Sequence, residues 1–290
     1  MPRLCAPIRF RGAVLDWTRP YVMGVVNVTP DSFSDGGRFL DVEAAVQHGV
    51  ALVEAGADLL DVGGEATNPR AAPVDADTER RRVVPVIEAL ARRVQVPISI
   101  DTTKAVVARA AVDAGAEIVN DIAGGLFDPA MHDAVAASGA AYVCGHLRGG
   151  SLAEVFRAEA PADWADVANE LRDRMRTLPD AVRDRTLVDP GLGFGKGGDA
   201  ATNAALVARA GDLSEAMGRP VLLGPSRKRF VARLIGRPDG ATEAELDAGT
   251  LGVCLAAVAA GAQVLRVHDV LLLRTALFAY TRIVGSGGPS

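Results

Sequence analysis

Polar side chains that suit a small planar ligand follow the predicted β-strands of this chain, at the point where each strand ends. They are Asn27, Asp101, Asn120, Asp121, His146, Asp189, the segment from Ser226 to Lys228, Arg266 and His268. Parallel α/β barrels carry their chemistry at the C-terminal ends of their strands. The spacing therefore predicts a fold and the position of an active site together.

The elements that must position these residues are short apolar runs alternating with longer helical patterns. Strands are predicted at 21–27, 59–63, 98–101, 118–121, 141–145, 186–189, 221–224 and 264–267. Helices are predicted at about 42–55, 78–93, 104–114, 129–138, 162–176, 202–217, 243–260 and 269–281. Strands that are apolar on both faces and alternate with helices indicate an α/β fold, a single-domain (β/α)8 TIM barrel over residues 1–284. A doubly wound open sheet is the alternative, although no GxGxxG segment follows the first strand.

Both ends of the chain differ in pattern from the barrel. Residues 8–17, IRFRGAVLDW, alternate like a short N-terminal β-hairpin, which we expect to close the barrel floor. Residues 285–290 are rich in Gly, Ser and Pro, and we expect a flexible tail there.

Composition limits the class of protein. Cys5, Cys144 and Cys254 are far apart and show no metal or disulfide spacing, which favours reduced thiols in the cytoplasm. The N-terminus lacks the apolar run of a signal peptide. The net charge of −5 disfavours a nucleic-acid partner, and no apolar segment is long enough to span a membrane.

The first predicted βα loop, residues 27–39, is long and rich in turn-forming residues, which is typical of a mobile lid or of an ordinary turn. It lies within MGVVNVTPDSFSDGG, a segment that closely resembles the opening signature of the dihydropteroate synthases. DVGGEATNP, SIDT, VNDIAGG, DPGLGFGK, GPSRKRF and LRVHDV follow in the family's order. The resemblance covers essentially the whole chain.

This resemblance implies a transferase that condenses 6-hydroxymethyl-7,8-dihydropterin pyrophosphate with p-aminobenzoate. The reaction releases pyrophosphate and forms 7,8-dihydropteroate in folate biosynthesis. The substrates would be small molecules, and sulfonamide analogues of aminobenzoate would compete. The family also implies a homodimer formed by outer helices near the C-terminus. The apolar stretch LLLRTALFAY (Leu271–Tyr280) fits that role, and an ordinary buried helix explains it equally well.

The resemblance assigns Asp101, Asn120, Asp189, Phe194 and Lys228 to a pterin pocket. Asp189 can accept from the adjacent N–H groups of a pterin, whereas Asn120 suits a mixed donor and acceptor edge. Lys228 can donate to the ring carbonyl or to a ring nitrogen. For Asp101, and likewise for Asp121, N-capping of the following helix is the alternative role.

The pyrophosphate half of the site is expected at the ends of the first and last barrel strands. Arg266 and His268 share one face of a strand and would form an anion site. Asn27 resembles the family position that helps to hold Mg²⁺ on the pyrophosphate, and this metal would depend on substrate oxygens for most of its ligands.

The expected chemistry needs no protein nucleophile, because departure of pyrophosphate leaves a cationic methylene that the arylamine attacks. Asp101 would steady that cation, while Phe33 and Asp35 of the first loop would close as a lid that excludes water. The catalytic candidates are Asp101, Asp35, Lys228 and Arg266.

The second βα loop departs from the family sequence Glu-Ser-Thr-Arg-Pro-Gly. Here it reads Glu-Ala-Thr-Asn-Pro-Arg over residues 65–70. Thr67, Asn68 and Arg70 are expected to contact substrate, with Arg70 supplying the guanidinium that position 68 has lost. Gly145, where the family commonly has Met, would leave a looser pocket.

Two other functions stay open at this point. A pterin-binding paralogue with weak or no synthase activity would explain the altered second loop. A pterin-dependent methyltransferase shares the barrel and pocket, but the first loop resembles the synthases specifically and the sequence shows no corrinoid-binding module.

Overall fold

The structure is a computed structural model that describes residues 5–29, 37–67, 73–157, 162–196 and 200–286. Two short strands, β1 (Ile8–Arg9) and β2 (Val14–Leu15), pair antiparallel ahead of a larger parallel sheet. The strands of that sheet are β3 (Tyr21–Asn27), β4 (Leu59–Gly63), β5 (Ile98–Asp101), β6 (Ile118–Asp121), β7 (Ala141–Gly145), β8 (Thr186–Asp189), β9 (Leu222–Leu223) and β10 (Val264–Val267).

The parallel sheet curls into a nearly closed barrel. Its strands are ordered β8-β7-β6-β5-β4-β3-β10-β9, and a parallel bridge between Val188 and Val221 joins the two edges. The predicted (β/α)8 barrel and its short hairpin are confirmed. The register places Asp101 beside Gly63 and Asn120, and Asp189 beside Gly145, so the polar strand ends lie at one mouth.

Helices surround the barrel between its strands. They are α1 (Gly37–Glu54), α2 (Ala76–Arg93), α3 (Ala105–Asp113), α4 (Met131–Ser138), α5 (Leu152–Arg157), α6 (Trp164–Thr177), α7 (Asp180–Arg183), α8 (Ala200–Ala208), α9 (Ala210–Met217), α10 (Arg229–Leu234), α11 (Glu243–Ala259) and α12 (Val270–Ser286). Side chains of Asp75 and Asp163 cap α2 and α6, and Thr242 with Glu245 forms a capping box at α11.

Several details differ from the sequence-based expectation. The helices α5, α7 and α10 were not predicted, and the helix expected over 202–217 is two helices that meet at Arg209. There Gly211 donates its backbone N–H to the carbonyl of Ala260 at 2.7 Å, which draws α9 against the end of α11. The last helix extends to Ser286, two residues into the stretch 285–290 for which the sequence predicts a flexible tail.

Two apolar layers hold the elements together. The larger lies between the barrel and its helices, and it is built mainly from Val, Ile, Leu and Ala. The smaller fills the floor of the barrel, where Ile8, Leu15 and Trp17 of the hairpin region pack with Met23 and Leu59. The hairpin thus closes the N-terminal end, as expected, and the opposite end carries the polar side chains. Within the described residues, none of the helices has the length and apolarity needed to cross a bilayer.

Candidate active site

The polar strand ends converge on Arg266, which β10 projects into the barrel mouth. Its Nη2 donates to Asp101 Oδ2 at 2.8 Å, and its Nε donates to Asp61 Oδ2 at 2.5 Å. Burial opposes the charge of Arg266, but the carboxylates of Asp61 and Asp101 more than offset it and hold its pKa above the ordinary value. Arg266 is therefore a fixed cation at the centre of the site.

Asp101 lies at the end of β5 and is an electrostatically unusual carboxyl. Burial raises its pKa to about 7, since desolvation together with the charges of Asp61 and Glu79 outweighs the opposing effect of Arg266. It does not cap the next helix, because α3 starts at Ala105 with no side-chain cap. The structure instead turns Asp101 toward Arg266.

Asp189, at the end of β8, is anchored by the turn that follows it. Its Oδ1 accepts from the backbone N–H of Gly191 at 2.7 Å. Gly191 has φ +71°, and a Cβ there would lie 1.9 Å from the carbonyl oxygen of His146, so only glycine fits. Burial raises the pKa of Asp189, and the nearby Lys228 opposes that shift.

Lys228 follows β9 and lies beside Phe194. Its Nζ donates to the carbonyl of Leu192 at 2.7 Å and lies 4.4 Å from the centre of the Phe194 ring. Burial lowers the pKa of Lys228 to about 8, against the pull of Asp189. A buried ammonium stacked on an aromatic ring makes one wall of a pocket for a flat polar ligand.

The turn before Lys228 is held in a strained shape by Arg227. This residue has φ +56°, which is unfavourable for a side chain with a Cβ. Its guanidinium makes two hydrogen bonds to Asp247 of α11, at 2.8 and 3.0 Å, and its N–H donates to Thr250. On either side of this residue, Ser226 contacts His268 and Lys228 donates to the carbonyl of Leu192.

His268 contacts Ser226 beside the anion site expected at Arg266. Its Nδ1 lies 2.9 Å from Ser226 Oγ, and its backbone N–H also donates to that oxygen. Burial, helped by the charge of Arg266, lowers the pKa of His268 to about 4. The imidazole is therefore neutral at pH 7, and the fixed positive charge at this edge belongs to Arg266.

Asn27 lies exposed at the end of β3, across Gly63 from Asp101. A Cβ at Gly63 would lie in ordinary contact with both, 3.8 Å from Asp101 Oδ2 and 4.0 Å from Asn27 Oδ1, so glycine leaves the space between them at the mouth unfilled. Among the described residues, no group of three or more His, Cys, Asp or Glu could hold a metal ion. A cation here fits only with an oxygen-rich ligand completing its coordination.

The second loop starts and ends beside a partly buried ion cluster that the sequence did not suggest. Lys104 Nζ donates to Glu65 Oε2 at 2.5 Å and to Glu79 Oε2 at 2.6 Å, while Glu65 Oε1 accepts from the N–H of Val74. Glu65 thereby ties the start of the loop to its end. Thr67 is partly buried beside it.

Four expected contact residues, Phe33, Asp35, Asn68 and Arg70, lie outside the described residues. Asp121, whose role the sequence left open, shapes the turn after β6. Its carboxylate accepts from the N–H groups of Ala123 and Gly125 and from the hydroxyl of Tyr142.

His146 is fully buried and contacts the buried Lys196 on one side and the partly exposed Glu170 on the other. Its Nδ1 lies 2.8 Å from Lys196 Nζ, and its Nε2 lies 2.9 Å from Glu170 Oε2. Lys196 also donates to the carbonyl of Phe194, and burial lowers its pKa to about 7. The strand-end pattern marked His146, but nothing in GFGK marked Lys196 as buried.

Sequence reasoning also missed Asp61, which lies inside β4 rather than at its end. It is fully buried and bonds both Arg266 and Asn120. The available signal was a carboxylate in the middle of LLDVG, where both faces of the strand are otherwise apolar.

Comparisons with known proteins agree with this arrangement. A family profile described as pterin binding enzyme matches residues 23–268. The chain is 47% identical to the dihydropteroate synthase of Mycobacterium leprae over 257 residues, which cover 86% of this chain and 88% of that protein. Among solved structures, the Xanthomonas albilineans dihydropteroate synthase with 4-aminobenzoic acid has a TM-score of 0.86 and 43% identity, with 98% of this chain and 100% of that one covered. The complex of the same enzyme with 7,8-dihydropteroate gives a TM-score of 0.81 at 43% identity, with 99% and 100% covered.

Proposed function

Because the chain belongs to the dihydropteroate synthases, a family of pterin-binding enzymes, we propose that it joins 6-hydroxymethyl-7,8-dihydropterin pyrophosphate to p-aminobenzoate. One observation carries the proposal: the carboxylate of Asp189, the amide of Asn120 and the ammonium of Lys228 lie near the Asp101–Arg266 pair. These groups match the donors and acceptors around a pterin edge.

The first task of the site is to hold the pterin flat and in one orientation. Asp189 Oδ1 is occupied by Gly191, so Oδ2 faces the N–H groups of the ligand. Lys228 donates from one side, and Phe194 packs beneath it. Such positioning places the methylene carbon for attack and lowers the entropic barrier to the reaction.

The second task is to stabilise charge as the C–O bond to pyrophosphate breaks. Arg266 supplies a fixed positive charge, and the ionised form of Asp101 would offset the cation that forms on the pterin methylene. The arylamine nitrogen then attacks this carbon and loses a proton. One ion pair would thus stabilise both the leaving pyrophosphate, through Arg266, and the methylene cation, through Asp101.

We include Mg²⁺ in the proposal as an ion that arrives with the pyrophosphate. Asn27 Oδ1, a neutral oxygen donor at the barrel mouth, would contribute a ligand. When bound, the cation would neutralise charge on the leaving pyrophosphate.

Pyrophosphate release in the presence of both substrates tests the function. We expect release to require p-aminobenzoate as well as the pterin, and a sulfonamide analogue to compete with p-aminobenzoate. Tight binding of the pterin pyrophosphate without release would instead identify a pterin-binding paralogue and would refute the synthase proposal.

The altered second loop gives a separate test of how the pyrophosphate is neutralised. If Arg70 replaces the family arginine, Arg70→Ala should lower kcat/KM by about 100-fold, as expected for loss of a charge-assisted bidentate contact. Arg80→Ala is the matched control, because Arg80 lies on α2 and, among the described residues, its one ion pair is with the exposed Asp77. Equal activity of the two variants would show that Arg70 does not serve the site.

We further infer a homodimer through the outer face of α12. Leu271 and Phe278, seven residues apart on this face, are exposed to 63% and 59% of their full areas. Large exposed apolar patches mark interaction surfaces. Phe278→Glu should shift sedimentation of the protein toward the monomer, whereas Leu126→Glu, at an exposed leucine outside this helix, should not.

A further inference from the structure

Asp61 is a buried carboxylate that the proposed reaction does not use directly. It lies in the third position of β4, paired in register with Val25 of β3 and Ser99 of β5. Its side chain is fully buried. Asp58, at the opposite end of the same segment, is by contrast partly exposed and pairs with Arg19 and Arg274. One carboxylate therefore lies within β4, and the other lies just before the strand begins.

One oxygen of Asp61 organises two residues of the pterin site. Oδ2 accepts from Arg266 Nε at 2.5 Å and from Asn120 Nδ2 at 3.0 Å. Together with Asp101, which receives Nη2, it fixes the guanidinium plane at two points. A planar group held at two of its nitrogens cannot rotate about its own axis.

The contact with Asn120 has a second consequence, which concerns the polarity of its amide. An ionised carboxylate can only accept hydrogen bonds, so Asn120 must turn its NH2 group toward Asp61. Its Oδ1 then faces away, and this oxygen is buried with no hydrogen-bond partner among the described residues. A buried acceptor without a partner is expensive unless a ligand or water satisfies it.

We propose that Asp61 is a positioning residue of the pterin site, which presents Asn120 Oδ1 as an acceptor to the ligand and holds Arg266 against Asp101. It acts through these two side chains and does not touch the substrate. Without it, the amide of Asn120 can present either end, and half of its orientations place a donor against a pterin N–H. This inference rests on the proposed synthase function and deepens it.

The charge of Asp61 also acts on Asp101. The charged groups that face Asp101 are Arg266 from β10, Lys228 after β9, Glu79 from α2 and Asp61 itself, and both acidic neighbours favour its protonated form. Removing the charge of Asp61 should therefore lower the pKa at which Asp101 ionises. A purely structural carboxylate elsewhere in the strand would not have this effect.

Asp61→Asn is the test, with Asp58→Asn as its matched control on the same segment. We expect Asp61→Asn to weaken binding of dihydropterin pyrophosphate by about 10- to 100-fold in calorimetry, the range of one lost hydrogen bond to a charged group. The acid limb of kcat/KM should move to lower pH. Asp58→Asn should lower the melting temperature and leave both quantities unchanged.

A second variant, which exchanges the two side chains and keeps the net charge, tests the proposal even if Asp61→Asn does not fold. In the double variant Asp61→Asn with Asn120→Asp, the new amide donates to the new carboxylate, which again presents an acceptor to the ligand. We expect the double variant to bind at least tenfold better than Asp61→Asn, or to bind measurably where that variant does not fold.

Two results would overturn the proposal. One is a pterin affinity and acid limb in Asp61→Asn equal to those of the wild type. The other is a folded double variant that binds no better than Asp61→Asn. Binding by the wild type is a separate check on the proposed function, because the effect of Asp61 is read as a ratio to that value.

Discussion

Replacing Asp189 by asparagine should reverse the polarity of the pterin edge of the site. The backbone N–H of Gly191 needs an acceptor, and Asp189 Oδ1 provides it at 2.7 Å. In Asp189→Asn the amide oxygen should keep that bond, because the alternative sets two donors against each other. The NH2 group then occupies the place of Oδ2 and meets the N–H groups of the pterin.

The size of the effect follows from two contributions. A hydrogen bond to a charged carboxylate is worth about 1.5–3 kcal/mol, and an unsatisfied buried donor costs about 1–3 kcal/mol. Burial already raises the pKa of Asp189, so the free wild-type protein bears a desolvation cost that the amide avoids. We therefore expect a net loss of about 3 kcal/mol, which is about 100-fold in the Kd for dihydropterin pyrophosphate.

Isothermal titration calorimetry measures this change directly. Asp184→Asn is a suitable control, since Asp184 precedes the same strand and pairs with Arg219 far from the mouth. Thermal unfolding of Asp189→Asn should show no loss of stability. A change in Kd of less than about threefold would contradict the placement of a pterin edge at Asp189.

Three further outcomes follow from the structure. The acid limb of kcat/KM should have an apparent pKa near 7, because the pKa of Asp101 is about 7 and its ionised form is the one proposed to act; a limb near 4 would exclude Asp101 from this role. The same group should make the free protein less stable as pH rises from about 4 to 7, since the folded state binds its proton more tightly than the unfolded state. Arg227→Gly should be more stable to denaturant than Arg227→Ala by about 1 kcal/mol, because both lose the pair with Asp247 but only glycine relieves the left-handed backbone; equal stabilities would mean that the turn is not strained.

The strands were predictable from sequence almost to the residue. Seven of the eight barrel strands have the predicted bounds, and β9 is shorter by one residue at each end. These runs are short, apolar on both faces and bounded by Gly or by a polar residue, so pattern and boundary agree. The short helices α5, α7 and α10 have too few residues to show a helical period, which explains why they were missed.

The site was only partly predictable because strand ends show where side chains start and not what they contact. The position of Asp101 was clear, but its bond to Arg266 depends on the closure of the barrel, which brings the ends of β5 and β10 together although β4 and β3 lie between them. Asp61 was missed because a strand-end pattern cannot mark a residue in mid-strand. Lys196 was missed because burial of a lysine depends on partners 50 residues away, here His146.

The hairpin seal on the barrel floor has a kinetic consequence. Because Ile8, Leu15 and Trp17 close the N-terminal end, the proposed substrates must share one entrance at the strand ends. The groups proposed to hold the pterin are the deeply buried Asn120 and Asp189, so the pterin would enter first and p-aminobenzoate would close the path behind it. The two substrates would then bind in a fixed order. Excess p-aminobenzoate would slow dissociation of the pterin, because it would block the path from the pterin site to the barrel mouth.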